Sequence, residues 1–279
     1  MQKITPFLWF ENQAQEAAKL YCSIFPDSKI TSSNPMTTGF NLMGLEMAGI
    51  NGGPVFKPNP SISFSAWIVD EDLVKPMRDK LVEGGKVLME FGKYPRSEAY
   101  GRCSDTYGVS RQIMHDTRPG RKSEIVPSLM YTGAMAGKTE EAMSFYSGLF
   151  KDSSIDFIWR YEAGGVDKEG TINHAEFKLA GQQFIAMDSA MEHAFSFDEG
   201  VSLVINCDGQ EEVDYYRNNL TKNGGVESQC GRCKDKYGVS RQVVPVQLMQ
   251  ALGNPDQAKA QQAMQAMMQM KKIIIADLG

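Results

Sequence analysis

A duplicated α+β fold is what this sequence predicts, and three observations carry the expectation. Tyr100–Met114 and Cys230–Val244 share ten identical positions in fifteen, including Gly101/Gly231, Arg102/Arg232, Asp105/Asp235, Tyr107/Tyr237 and the run Gly-Val-Ser-Arg-Gln. Earlier in each half, "AQEAAKLYCSIF" from Ala14 matches "TEEAMSFYSGLF" from Thr139 at the same offsets. Around both pairs the order strand, helix, strands occurs twice per copy, which implies helices on one face of a curved mixed sheet. Two long units read as a duplicated domain rather than a solenoid, and 279 residues accommodate two domains of ordinary size.

In the first copy, residues 1–118, "ITPFLWF" is an apolar β-rich run. The following stretch sets Ala14, Ala17, Ala18, Tyr21, Cys22 and Phe25 at helical spacing before Pro26 stops it. "SKITSSNPM", "FNLMGLEMAGI" and "SISFSAWIV" are short β-patterned runs separated by Gly, Asn and Pro. "EDLVKPMRDKLVEGG" predicts a second helix with Leu73, Met77, Leu81 and Val82 on one face and Gly84-Gly85 as its stop, and a hairpin from Lys86 to Met114 closes the copy. The second copy, 124–247, runs in the same order: strand "VPSLMYT", helix Thr139–Phe150, strands "SSIDFIWRYE", "TINHAEFKLAG" and "QQFIAMD", strand "GVSLVINC", helix Glu211–Asn223 and a closing hairpin.

Residues 253–279 differ in composition. Asn254 is expected as the N-cap of a helix with Pro255 at its first position, Gln257 completing a capping box and lysines in the last turn. Its stripe of Ala260, Met264, Met267, Met268 and Ile274 is expected to bury against the parent domains or a second copy of the chain, and the expected assembly is a homodimer.

The net charge of -5, with its cations dispersed, offers no footprint for nucleic acid or an anionic membrane surface. No run of about 18 apolar residues is present, and the opening "MQKITPFLWF" lacks the pattern of a secretory signal, so a cytoplasmic protein is expected. Five cysteines without framework spacing, Cys22, Cys103, Cys207, Cys230 and Cys233, suit a reducing compartment.

The βαβββ order twice per copy, the closing segments D-x-x-G-x-x-x-Q, the stretch "NGGPVFKPNPSISFSAWIV" and the terminal "AQQAMQAMMQMKKIIIADL" together resemble the PhnB-like, demethylubiquinone methyltransferase-like branch of the glyoxalase/bleomycin-resistance/dioxygenase superfamily, the vicinal oxygen chelate fold. That resemblance implies tandem glyoxalase-like domains, each of paired βαβββ modules forming a cupped mixed sheet with helices on the convex face. It also implies a small-molecule ligand in each cup, often beside a divalent metal held by histidines and glutamates. Here the closing positions are Gln112 and Gln242, neutral amides that are poor ligands for a hard dication, and the opening strands of the modules carry no histidine. Gln112 and Ser110, Gln242 and Ser240, and the tryptophans Trp9 and Trp67 are the candidate cup-lining residues. Arg111 and Arg241, one position out of phase, are expected on the helix side or in solvent.

Three histidines are present, His115, His174 and His193. His174 and Glu176 lie two apart on a strand and project from one face, which makes them the candidate metal pair, with Asp188 and His193 as the nearest further ligands; the alternative is that they hydrogen-bond each other on a solvated face. The C-x-x-C of Cys230 and Cys233 precedes a turn and strand rather than opening a helix, so both are read as structural. The first strand-to-helix turns, "FENQAQE" and "TGAMAGKTEE", lack the G-x-G of a common S-adenosylmethionine site, and no G-x-S-x-G occurs. The expected function is small-molecule binding without a cofactor. The alternatives are a divalent-metal-dependent lyase, isomerase or dioxygenase, and a structural or assembly role.

Overall fold

The computed structural model describes residues 1–94 and 97–279. They form two compact units, Pro6–Val201 and Met1–Thr5 with Ser202–Gly279. The βαβββ pattern occurs four times along the chain. The first module is β1 (Ile4–Phe10), α1 (Ala14–Ile24), β2 (Lys29–Ser33), β3 (Thr37–Leu42) and β4 (Leu45–Asn51). The second is β5 (Ile62–Ile68), α2 (Glu71–Val82), β6 (Lys86–Tyr94), β7 (Ser97–Ser104) and β8 (Ser110–His115). The third is β9 (Glu124–Tyr131), α3 (Thr139–Leu149), β10 (Ser154–Arg160), β11 (Ile172–Leu179) and β12 (Gln182–Asp188). The fourth is β13 (Val201–Cys207), α4 (Gln210–Leu220), β14 (Val226–Glu227), β15 (Arg232–Lys234) and β16 (Ser240–Pro245), followed by α5 (Val246–Leu252) and α6 (Gln257–Gln269).

Within Pro6–Val201, an eight-stranded sheet runs in the order β10-β11-β12-β9-β5-β8-β7-β6. It joins the second module of the first sequence copy to the first module of the second. The seam is the antiparallel pair β5 and β9, in register from Ile62↔Leu129 to Trp67↔Glu124. Sequence copy and sheet therefore do not coincide here. All four modules carry the same hydrophobic pattern, so pattern alone does not say which two pair, whereas the short link from His115 to Glu124 lets consecutive modules lie side by side. α2 packs on β5, β7 and β8, and α3 on β10, β11 and β12, leaving the other face of the sheet as the cup. In the same unit α1 covers β2, β3 and β4, burying Ala14, Ala17, Ala18, Tyr21 and Ile24.

Several local expectations are corrected. "FNLMGLEMAGI" is two strands, because Met43 (φ 49°) and Gly44 (φ 94°) take the left-handed conformations of a tight hairpin turn. α2, capped by Asp70, buries Val74, Met77 and Leu81, an i, i+3, i+7 stripe that leaves Leu73 beside it 40% exposed. α6 is capped by Asp256, whose carboxylate accepts from Ala258 N and Lys259 N, and Asn254 instead accepts from Asp256 N in the turn before it. The later start shifts the buried face to Ala263 and leaves Met268 exposed. The expected last-turn lysines fall beyond the helix, and the tail they belong to docks by itself. Lys272 Nζ lies 2.7 Å from Asp214 Oδ1, Ile273 is fully buried, and Gln210 bonds both Ile273 O and Ile275 N. No helix is long and apolar enough to cross a membrane among the described residues.

The repeated segment has a structural explanation in both copies. Asp105 Oδ1 accepts from Tyr107 N (2.9 Å) and Val109 N (3.0 Å), closing the turn before β8, while Oδ2 faces Arg111 Nε at 3.5 Å. Asp235 makes the same bonds to Tyr237 N and Val239 N, with Arg241 Nε at 3.1 Å. Neither arginine is in solvent: Arg111 is 1% exposed and Arg241 fully buried, on the helix side of their strands. The Arg111 guanidinium lies 4.1 Å from the Tyr21 ring centroid. Gly85 and Gly225 recur for steric reasons, since a Cβ there would stand 2.1 Å from Ser104 O and 2.2 Å from Leu220 O.

Candidate functional site

Strand alternation assembles the cup floor of the eight-stranded sheet. Ser63, Ser65 and Trp67 of β5 point to the face opposite α2 and α3, as do Ser110, Gln112 and Met114 of β8, Val126 and Ser128 of β9, Ile185 and Met187 of β12, and His174 and Glu176 of β11. Trp67, Val126 and Ile185 form an apolar cluster with Met114 and Met187 at its edge. Beside it lies a polar set. Gln112 Nε2 donates to Ser63 Oγ (2.9 Å) and Ser128 Oγ (3.4 Å), and its Oε1 accepts from the Tyr100 hydroxyl at 2.9 Å. Each serine hydroxyl thus has a lone pair engaged and a proton to give. Ser110 Oγ and Trp67 Nε1 are buried on the same face without a hydrogen-bond partner. The floor is rich in donors, and Arg102, opposite Gln112 on β7, brings a guanidinium to the same face, donating Nη2 to Pro60 O at 3.2 Å while its Nε is buried without a hydrogen-bond partner.

One rim of the cup is charged. Glu176 Oε1 lies 3.4 Å from His174 Nε2, so the two predicted neighbours do meet on one face. Glu176 Oε2 accepts from Arg118 Nη1 at 2.9 Å. Burial pushes the Glu176 carboxyl up, but the His174 and Arg118 contacts outweigh it and hold the carboxyl at about 2. Arg118 also pairs in bidentate fashion with Asp116 (2.8 and 2.7 Å), and its guanidinium sits 4.2 Å from the Trp67 ring centroid. Asp116 and Arg118 follow β8, past the last element of the first copy, where no strand or helix period marks them. The signal was a D-x-R in "HDTRPGRKSE".

The other predicted residues are placed elsewhere. Asp188 accepts from Gly137 N, Thr139 N, Thr139 Oγ1 and Ile172 N, fixing the start of α3, and His193 bonds Ser189 Oγ, so neither joins His174 and Glu176. His115 faces Glu71 at 3.7 Å. Trp9 donates Nε1 to Gly53 O and packs edge-on against Phe56. In the second unit Gln242 Nε2 donates to Ser202 Oγ at 2.8 Å, repeating the amide–serine bond, and Ser240 is buried beside it on β16. Cys230 stands where the first copy has Tyr100, so this amide lacks the tyrosine hydroxyl. Cys103 and Cys233 are buried in equivalent positions opposite Arg111 and Arg241, and burial raises both thiols to about 11. A separate surface depression of about 330 Å³ lies on the helix side, lined by Cys22, Phe25, Leu73 and Met77 among others, and carries no comparable polar set.

The divalent metal of the vicinal oxygen chelate fold does not fit these residues. The floor offers an amide nitrogen and two hydroxyls already bonded to one another, and Glu176 is engaged by a guanidinium. Among the described residues no three His, Cys, Asp or Glu side chains gather as a metal-holding group. A cofactor anion is equally poorly served at the first helix starts: Ala14 N is taken by Asn51 Oδ1, and the α3 start by Asp188.

Comparison with known proteins follows this geometry. The family model described as 3-demethylubiquinone-9 3-methyltransferase matches residues 2–114 and 123–244, in two segments. The chain belongs to this family. The match is in tandem, one segment to each sequence copy. A Bacillus cereus PhnB protein is 39% identical over 42% of this chain and 95% of its own, with a TM-score of 0.39. Maize glyoxalase I is 10% identical over 87% of this chain and 93% of its own, with a TM-score of 0.56, a likeness of fold. A comparison with curated protein sequences finds no match.

Proposed function

We propose that this PhnB-like chain is a small-molecule binding protein whose cup takes an oxygen-bearing molecule through hydrogen bonds rather than metal chelation. One observation carries the reading: the Gln112 amide is held by Tyr100 and turned so that its nitrogen bonds Ser63 and Ser128. That arrangement aims the two serine protons at whatever lies in the cup, and donors aimed into a half-apolar pocket recognise carbonyl, ether or hydroxyl oxygens. Trp67, Val126 and Ile185 supply the apolar wall for the ligand's carbon skeleton.

Methyl transfer, which the family's description suggests, finds no support in the turns before α1 and α3, where Asn51 and Asp188 occupy the leading N–H groups. The test is a thermal-shift screen of small diols, hydroxyketones and quinols. Ligands are expected to stabilise the wild type and to lose that effect in Gln112→Leu, which removes the amide but keeps the volume. Ligands that stabilise both proteins equally would overturn the assignment of the floor.

A further inference from the structure

The strand pair β7 and β8 brings to the cup floor one arginine that no carboxylate balances. Arg102 stands opposite Gln112, and the second sequence copy keeps the pairing, with Arg232 opposite Gln242. Every other described arginine of Pro6–Val201 faces an acidic side chain at 3.7 Å or less, Arg111 at Asp105 and Arg118 at Glu176 among them. Arg102 has no such partner among the described residues. Its Nη2 donates to Pro60 O at 3.2 Å, its buried Nε is unbonded, and its Nη1 is neither bonded nor closed to solvent. Burial presses its pKa below the usual arginine value, and only the Tyr100 hydroxyl pulls the other way. A guanidinium stays charged there, so the floor holds a cation partly out of water with one neutral carbonyl as its partner. The same face has unspent donors beside it. Ser110 Oγ is buried without a hydrogen-bond partner on β8, and Ser63 lies two strands from Arg102, about 10 Å between backbones at the usual strand spacing. The length of the arginine side chain shortens that gap to the size of a small molecule.

We propose that Arg102 is the anion-binding residue of the cup, and that the ligand is a small molecule carrying a carboxylate as well as the carbonyl or hydroxyl oxygen taken by the serines. A carboxylate suits the site better than a phosphate. Its single charge is balanced by one guanidinium, whereas a dianion would leave charge uncompensated in a half-apolar pocket. The inference rests on the reading of the cup as a ligand pocket and narrows its occupant to oxo or hydroxy acids.

The test is titration calorimetry of the full chain with 4-oxopentanoate and 6-oxoheptanoate, each against its amide, which keeps the shape and loses the charge. Wild type is expected to bind at least one acid about tenfold tighter than its amide, the effect of one hydrogen bond to a charged group. Arg102→Gln is expected to abolish that preference while binding the amide as wild type does. No saturable acid binding by wild type, equal affinity of acid and amide, or a preference that survives in Arg102→Gln would each overturn the proposal. Should Arg102→Gln fail to fold, Arg102→Met keeps the side-chain stem without the charge and is held to the same outcomes. Gln112→Leu separates this inference from the reading of the floor. An acid preference with undiminished affinity in Gln112→Leu keeps the anion site and removes the serine and glutamine floor, whereas affinity lost in Gln112→Leu with no acid preference in wild type removes the anion site and keeps the floor.

Discussion

Arg111→Met removes one partner of a fully buried ion pair and is predicted to destabilise the protein by about 4 kcal/mol. The magnitude follows from the surroundings. Asp105 is 3% exposed and Arg111 1%, so neither charge has water to fall back on, and deleting one member of such a pair costs about 3–5 kcal/mol. The guanidinium over Tyr21 at 4.1 Å contributes about 1 kcal/mol of that. Burial already raises the Asp105 carboxyl and Arg111 pulls it back, so the variant raises it further. A raised acid group keeps its stability below the unfolded-state value and loses it as pH climbs through the folded value. The cost should therefore be smaller at pH 4 than at pH 8. Urea denaturation followed by circular dichroism at both pH values measures this, and Asp105→Asn combined with Arg111→Met should recover more than half of the loss, since asparagine still accepts from Tyr107 N and Val109 N. A single-variant cost under about 1 kcal/mol, or a double variant as weak as the sum of the singles, would refute the buried-pair reasoning.

Glu176→Gln tests the rim. A carboxyl moved from 4.5 to about 2 represents at most about 3 kcal/mol, and solvent at the partly exposed Arg118 reduces this to about 1–2 kcal/mol. Because the group is lowered, the difference between wild type and variant should be present above pH 5 and fade as pH falls toward 2; a pH-independent difference would count against the ion pair. Gly85→Ala should cost more than 2 kcal/mol in urea denaturation, because its Cβ would meet Ser104 O at 2.1 Å; a near-neutral change would show that the α2–β6 link yields easily. An aromatic disulfide reagent at pH 8 should label Cys22 and Cys230 and leave Cys103, Cys207 and Cys233 unreacted, since burial raises those three to about 11, 12 and 11. Rapid labelling of Cys233 would mean that the Cys230–Cys233 loop opens in the native state.

The fold was legible because its signals are local. Helix spacing in Ala14–Phe25, the glycine stops and the repeated D-x-x-G turn each follow from a few neighbouring residues, and the terminal pattern carried the family resemblance. The assembly of the cup was not, because the pairing of β5 with β9 depends on which of four similar modules meet. Arg111 and Arg241 illustrate a second limit. Alternation put them on the helix side, but their burial depends on Asp105 and Asp235, six residues earlier, whose carboxylates looked like turn residues only. At the site, alternation placed Gln112 with Ser110 and His174 with Glu176 on one face. It gave no sign of Ser63, Ser128 and Tyr100, which reach Gln112 from neighbouring strands, or of Arg118, which comes from the link. The difference between Tyr100 and Cys230 in the repeat matters through the tyrosine, because Tyr100 is the group that orients the amide.

The most direct test of a hydrogen-bonding cup is native mass spectrometry of the chain after incubation with Mn²⁺, Ni²⁺ and Zn²⁺ and buffer exchange. The account predicts the mass of the polypeptide, with any residual metal adduct equal in wild type, His174→Ala and Gln112→Leu. A stoichiometric ion retained by the wild type and lost in either variant would contradict it.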